Sequence, residues 1–146
     1  MSKAEKALEI FENNNCAQSV TLAYAEDFGL ENDKALQVSA GFGRGMGRTQ
    51  EVCGTVSGAI IVMGLASGLK AGDGRGKNSE VYDKIKRFMD EFSALKGTVI
   101  CRELLARELT PEEKQKYSQE SHSRGRCQEY VRLACELLDK YLAEPV

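Results

Sequence analysis

Apolar residues recur mostly every three or four positions along this chain, and strand-like alternation is scarce, so the pattern predicts an all-α protein. Ala4, Ala7, Leu8 and Phe11 share one face of a first helix, which Ser2 can cap and the Asn13-Asn14-Asn15 run can break. A second helix is predicted from about Cys16 to Phe28, with Val20, Ala23, Tyr24 and Phe28 inward and Gly29 as its stop. A third follows from about Asn32 to Ala40, capped by Asn32 or Asp33. Residues 41–47 read as a glycine loop, and the stretch from about Gln50 to Leu69 is the least polar of the set. A helix apolar on every side belongs in the interior, so this one is expected to be central.

Lys70–Lys77 reads as a surface loop. Helix 79–96 sets Val81, Ile85, Phe88, Met89, Phe92 and Leu95 against charged residues, and Gly97 ends it. Thr98 can cap a short segment, Cys101 to Arg107. Thr110-Pro111-Glu112-Glu113 has the proline and first-turn acids of a helix start. His122 to Gly125 reads as loop, and the last helix as about Arg126 to Leu142. The expected architecture is one compact single-domain bundle over residues 1–146, with about five to seven helices and a glycine-rich apolar helix at its centre.

Composition narrows the function. The chain has 146 residues, enough to bury a core without metal or disulfide staples. A net charge of -2 implies no general attraction to nucleic acid or an anionic membrane. Met1 to Glu12 is charged and amphipathic rather than an export signal. The longest apolar stretch, Ala59 to Leu69, is interrupted by Gly64, Ser67 and Gly68 and is too short to span a bilayer. The expectation is a cytoplasmic protein without membrane insertion, where five cysteines are structural, metal-binding or redox-active rather than a disulfide framework.

The cysteines are not scattered evenly with respect to the helices. Cys16 follows Asn15, Cys53 follows Thr49-Gln50-Glu51, Cys101 lies three residues after Thr98, and Cys127 follows Ser123 and Gly125. Each of these four is expected in the first turn of a helix, where backbone N–H groups and the helix dipole stabilise a thiolate. Cys135 is expected mid-helix. Cys127 and Cys135 are eight residues apart. On one helix that separates them by about 12 Å, beyond the reach of a disulfide. No C-x-x-C occurs, and the spacings 37, 48, 26 and 8 match no zinc-finger or ferredoxin pattern. Four helix starts can nevertheless converge on one ion, so a metal or iron–sulfur site built from Cys16, Cys53, Cys101 and Cys127 stays open.

Gly41, Gly43, Gly45 and Gly47 alternate without forming a nucleotide-binding fingerprint. The loop reads either as a tight turn or as an anion cradle in which Gly43, Arg44, Gly45 and Arg48 take part. Gly54 and Gly58 are four apart along the apolar helix, and Gly64 and Gly68 repeat the spacing. Each costs about 1 kcal/mol against alanine in a helix interior, so close approach of a neighbouring backbone is expected to offset them. The single histidine, His122, reads as a solvated loop residue, and the acidic residues as solvated helix faces.

The segments NCAQSV at 15–20, GFGRGMGR at 41–48, VCGTVSGA at 52–59 and CRELL at 101–105, with a late cysteine before an amphipathic helix, resemble the C_GCAxxG_C_C family of small redox proteins. Its four characteristic cysteines fall on Cys16, Cys53, Cys101 and Cys127, and Cys135 lies outside the pattern. Thr55 stands where the family motif has alanine, which adds a hydroxyl two residues from Cys53. The resemblance implies a thiol-based redox role, with no particular reaction, substrate or cofactor. The residues then support three readings. In the first, Cys53 is an attacking thiolate with a depressed pKa, aided by Arg44 or Arg48 and resolved by Cys16, Cys101 or Cys127, and it exchanges with a redox partner or small thiol. In the second, the same four cysteines hold a metal or cluster. In the third, the chain is a helical interaction domain with inert thiols.

Overall fold

The computed structural model describes residues 1–107, 110–117 and 122–144, with the backbone alone described at 114, 116, 117 and 122–124. The described residues form eight α-helices and no sheet: α1 Lys3–Phe11, α2 Cys16–Ala25, α3 Asn32–Ser39, α4 Gly54–Ala66, α5 Asn78–Lys96, α6 Cys101–Ala106, α7 Pro111–Tyr117 and α8 His122–Leu142. The protein is all-α, with one helix more than the sequence pattern suggests.

Local chemistry accounts for most of the boundaries. The Ser2 hydroxyl accepts from the Glu5 N–H at 3.1 Å and starts α1. Asn15 forms a capping box on α2: its Oδ1 accepts from the Gln18 N–H at 2.9 Å, and Gln18 Oε1 accepts from the Asn15 N–H at 3.0 Å. Cys16 is thereby held as the first residue of α2. At α3 the capping position belongs to Glu31, which makes no side-chain bond, rather than to Asn32 or Asp33. His122–Gly125, expected as loop, is instead the first turn of α8. The side chain of His122 lies outside the described residues.

The central helix is shorter than its apolar pattern. α4 runs from Gly54, not Gln50, because the preceding segment pairs with the stretch before α6. The Cys53 N–H donates to Val99 O at 2.8 Å, the Cys101 N–H to Glu51 O at 2.6 Å and the Arg102 N–H to Gln50 O at 3.1 Å. Val52 and Ile100 form an isolated antiparallel bridge. This pairing satisfies N–H groups at the start of α6 that no side chain caps. Cys53 is therefore the N-cap residue of α4 and not part of its first turn.

α4 lies against α2, α5 and α8 and contributes Val56, Ala59, Val62 and Met63 to a contiguous core with Val20, Tyr24, Phe88, Phe92, Tyr130 and Leu138. α2 and α4 share the most extensive helix–helix contact among the described residues. A Cβ on Gly58 would lie 2.8 Å from Ala17 O and 3.1 Å from Val20 Cβ, and one on Gly54 would overlap the Cys16 sulfur. Gly54 and Gly58 thus offset their helix cost by close packing, as the spacing suggests. Gly64 has nothing within 4 Å of such a Cβ, and Gly68 lies beyond α4 at φ 69°. Their place in the repeat is not a packing device. Leu95, expected inward, is exposed.

These two kinds of glycine are expected to respond oppositely to alanine. Gly58→Ala forces α4 away from the Ala17 carbonyl and lowers stability by about 1–3 kcal/mol. Gly64→Ala meets open space and raises it by up to about 1 kcal/mol through helix propensity. Urea unfolding of the two variants beside the native chain checks both signs.

Candidate functional site

Four chain segments far apart in sequence meet at one end of the α2–α4 pair, around a cavity of about 600 Å³. Cys16, Cys53, Cys101 and Cys127 all line it, together with Arg44, Leu104, Tyr130 and the amide side chains of Asn13, Asn14, Asn15, Gln18 and Gln50. Cys16 and Cys101 are the first residues of α2 and α6, and Cys53 caps α4. Cys127 departs from the expected position: because α8 begins at His122, it sits in the second turn of that helix. Cys135 is fully buried in α8, away from the cavity lining, and burial pushes its thiol up to about 12. Among the described residues no disulfide is formed.

The sulfurs occupy different environments. Around Cys16, burial is opposed by the backbone N–H groups of Arg44, Ala17, Cys16 and Gly54, which favour the thiolate. Burial outweighs them, and the Cys16 pKa is raised. Cys53 Sγ lies 3.1 Å from Thr55 Oγ1. Burial dominates there as well, and negative charge on Cys16 or Cys127 adds to it, so the Cys53 thiol is pushed well up. A depressed Cys53 pKa, expected from a helix first turn, is not what the structure holds. The Cys101 pKa is raised by burial and by charge on Cys16, with Arg44 and Arg102 opposing. Cys16 is thus coupled to both Cys53 and Cys101, and Cys53 to Cys127.

The glycine loop makes room for this convergence. A Cβ on Gly43 would collide with the Asn15 side chain at 2.5 Å, and one on Gly45 with Cys101 Cβ at 2.7 Å. Arg44, Met46, Arg48 and Gln50 take left-handed backbone conformations at φ 54°, 71°, 72° and 59°. Each such residue costs on the order of 1–2 kcal/mol. The turn is closed by Gln50 N–H to Arg44 O at 3.2 Å and Glu51 N–H to Gly45 O at 2.9 Å. The Arg44 backbone amide in this turn is among the groups that favour the Cys16 thiolate. Of the anion-cradle residues, Gly43 and Gly45 are packing positions, Arg44 lines the cavity, and Arg48 is exposed and outside the lining.

The wall formed by α8 is fixed by an ion cluster that the sequence pattern does not reveal. Tyr130 OH donates to Leu104 O at 2.9 Å and accepts from Arg107 Nε at 3.1 Å. Arg107 also pairs with Glu113 through two bonds, at 3.2 and 2.8 Å, and Lys96 reaches Glu113 at 3.1 Å and Glu129 at 3.4 Å. The Thr110 N–H donates to Glu113 Oε1 at 2.9 Å. Glu113, read from its pattern as a solvated helix residue, is buried. Burial alone would raise its pKa, but Arg107, the Thr110 N–H and Lys96 together hold it down to about 2.

Among the described residues, no three side chains of histidine, cysteine, aspartate or glutamate stand close enough to hold a metal ion. No described helix is long and apolar enough to cross a membrane. A sequence model of the family described as "Putative redox-active protein (C_GCAxxG_C_C)" matches residues 14–141. The chain belongs to this family. Cys16, Cys53, Cys101 and Cys127, all within the matched range, line the cavity, and Cys135 is not among the lining residues. No match was found among curated proteins or among solved structures.

The Glu113 cluster gives a pH signature. The folded pKa of about 2 lies below the ordinary carboxylate value of 4.5, so the unfolded chain takes up the proton first as pH falls. The stabilisation is complete above about pH 4.5 and is lost as pH falls toward about 2. Between pH 7 and pH 3 the native chain is expected to lose about 2 kcal/mol more stability than Glu113→Gln, which is already weakened at pH 7 by about 3 kcal/mol. Urea titrations at the two pH values measure both differences.

Proposed function

We propose that the chain is a thiol–disulfide redox protein whose cavity is the reaction chamber, with Cys16 as the attacking sulfur. The observation that carries this reading is the convergence of Cys16, Cys53, Cys101 and Cys127, the four that the sequence resemblance assigns to the family pattern, on one cavity whose lining does not include Cys135. The grounds for choosing Cys53 as the attacker, a first-turn position and a lowered pKa, do not hold. Cys16 is the thiol that four backbone amides favour as thiolate, and its charge acts on both Cys53 and Cys101.

In this reading Cys16 gives up its proton, and its sulfur attacks one sulfur of a substrate disulfide. The substrate S–S bond breaks, a mixed disulfide forms on Cys16, and one thiolate leaves and takes a proton. Cys53 or Cys101 then attacks the Cys16 sulfur, releases the second thiol and leaves a disulfide within the chain. The substrate gains two electrons and two protons, and the chain loses them. Because burial keeps the thiols protonated at neutral pH, reaction accelerates above pH 9 instead of levelling below pH 8.

The metal reading uses the same four sulfurs. It requires them to move together, since no three ligand side chains are so placed among the described residues. Metal analysis of anaerobically purified protein separates the two. A stoichiometric metal that is lost on replacing the four cysteines, but kept in Cys135→Ser, supports the metal site. If the thiols are inert, replacing all four leaves the activity in the cell unchanged.

The direct test is to oxidise the reduced chain with one equivalent of a disulfide and map the product by mass spectrometry. A bridge from Cys16 to Cys53 or Cys101, with Cys135 still a thiol, is expected. Labelling of Cys16 by iodoacetamide is expected to rise steadily with pH beyond 9. A bridge that includes Cys135, or a Cys16 labelling rate already level by pH 8, overturns the assignment.

A further inference from the structure

The reactive sulfurs are recessed. Cys16 and Cys101 are 9% exposed and Cys53 is 6% exposed. Exchange needs three sulfurs in line, so a disulfide must enter the cavity to meet Cys16. A disulfide held within a folded protein surface cannot do so, whereas a small molecule fits about 600 Å³.

The charge in the lining is distinctive. Arg44 is exposed toward solvent, lines the cavity and has no ion-pair partner among the described residues. Arg102, the other cation acting on Cys101, is neutralised by Glu51 at 2.5 Å. Glu12 is the one carboxylate in the lining, but the charges that act on Cys101 besides Cys16 are those of the two arginines. The left-handed backbone of Arg44 is held by the Gln50 N–H, which donates to Arg44 O at 3.2 Å. The attacking sulfur and an unpaired guanidinium thus line the same cavity. Asn13 and Gln50 also line the cavity, and their side chains make no hydrogen bond among the described residues.

We infer that the substrate is a small disulfide carrying a carboxylate, which pairs with Arg44 at the cavity rim while a sulfur reaches Cys16. This rests on the thiol-redox reading and specifies its substrate class. The guanidinium offers paired donors to the carboxylate, and Asn13 and Gln50 offer polar contacts to the rest of the molecule. The charge pairing draws the anion in and orients its S–S bond.

The test uses the full reduced chain in a single turnover with three symmetric disulfides: dithiodiglycolate (anionic), bis(2-hydroxyethyl) disulfide (neutral) and cystamine (cationic). Each rate is divided by the rate of free mercaptoethanol with the same disulfide, which removes intrinsic reactivity. The normalised anionic rate is expected to exceed the neutral one by about tenfold at low salt and to approach it at high salt. Arg44→Lys keeps the order, and Arg44→Glu inverts it in favour of cystamine. Equal normalised rates, or an order unchanged in Arg44→Glu, overturn the substrate assignment; if the bridge among the family cysteines still forms, the redox reading stands. No reaction with any of the three, with all four family thiols recovered intact, overturns both.

Discussion

The arrangement rests on the contact between α2 and α4. Where these helices cross, Gly54 and Gly58 remove the side chains that would hold them apart, and the Ala17 backbone settles into the space. The same contact brings the Cys16 sulfur against the first residue of α4, so two helix starts face one atom. The loop before α4 must then thread a narrow gap, which explains why Gly43 and Gly45 lack room for any Cβ and why four other residues near them adopt left-handed backbone. The strain of that loop and the helix cost of the glycines are two results of one close approach.

Around the cavity, two opposing effects act on the thiols. Convergent backbone N–H groups and cations favour negative sulfur, while exclusion of water disfavours it. Burial prevails at Cys16, Cys53 and Cys101. The resting state is thus a set of protonated thiols backed by groups that can stabilise a thiolate once one forms. Thr55 gives Cys53 a hydroxyl neighbour that an alanine would not provide, and the Arg107–Glu113–Lys96 cluster keeps Tyr130 in place on the opposite wall.

Much of this was legible in the residues. Ser2, Asn15 and Gly97 mark helix ends by chemistry that operates over three or four positions, and the apolar spacing of α5 places Phe88 and Phe92 in the core. The grouping of four cysteines apart from Cys135 also emerged from local context. What escaped depended on partners distant in sequence. Gln50–Val52 looks like helix by composition, but it pairs with residues near Ile100. Glu113 looks like an ordinary first-turn acid, and only the approach of Lys96 and Arg107 makes it a buried ion. The position of Cys127 was misplaced because α8 starts earlier than its apolar stripe. The raised pKa values follow from enclosure by four segments, which no local window contains.

The bridge between Val52 and Ile100 and the position of Cys127 on α8 bear on how the chain matures. Because synthesis runs from the N-terminus, Cys16 and Cys53 are made before Cys101 and Cys127. The early pair has α2 and α4 to bring it together but lacks the walls from α6 and α8 that enclose it. A nascent chain therefore exposes these sulfurs to solvent and to any oxidant, and only completion of the C-terminal helix closes the chamber around them.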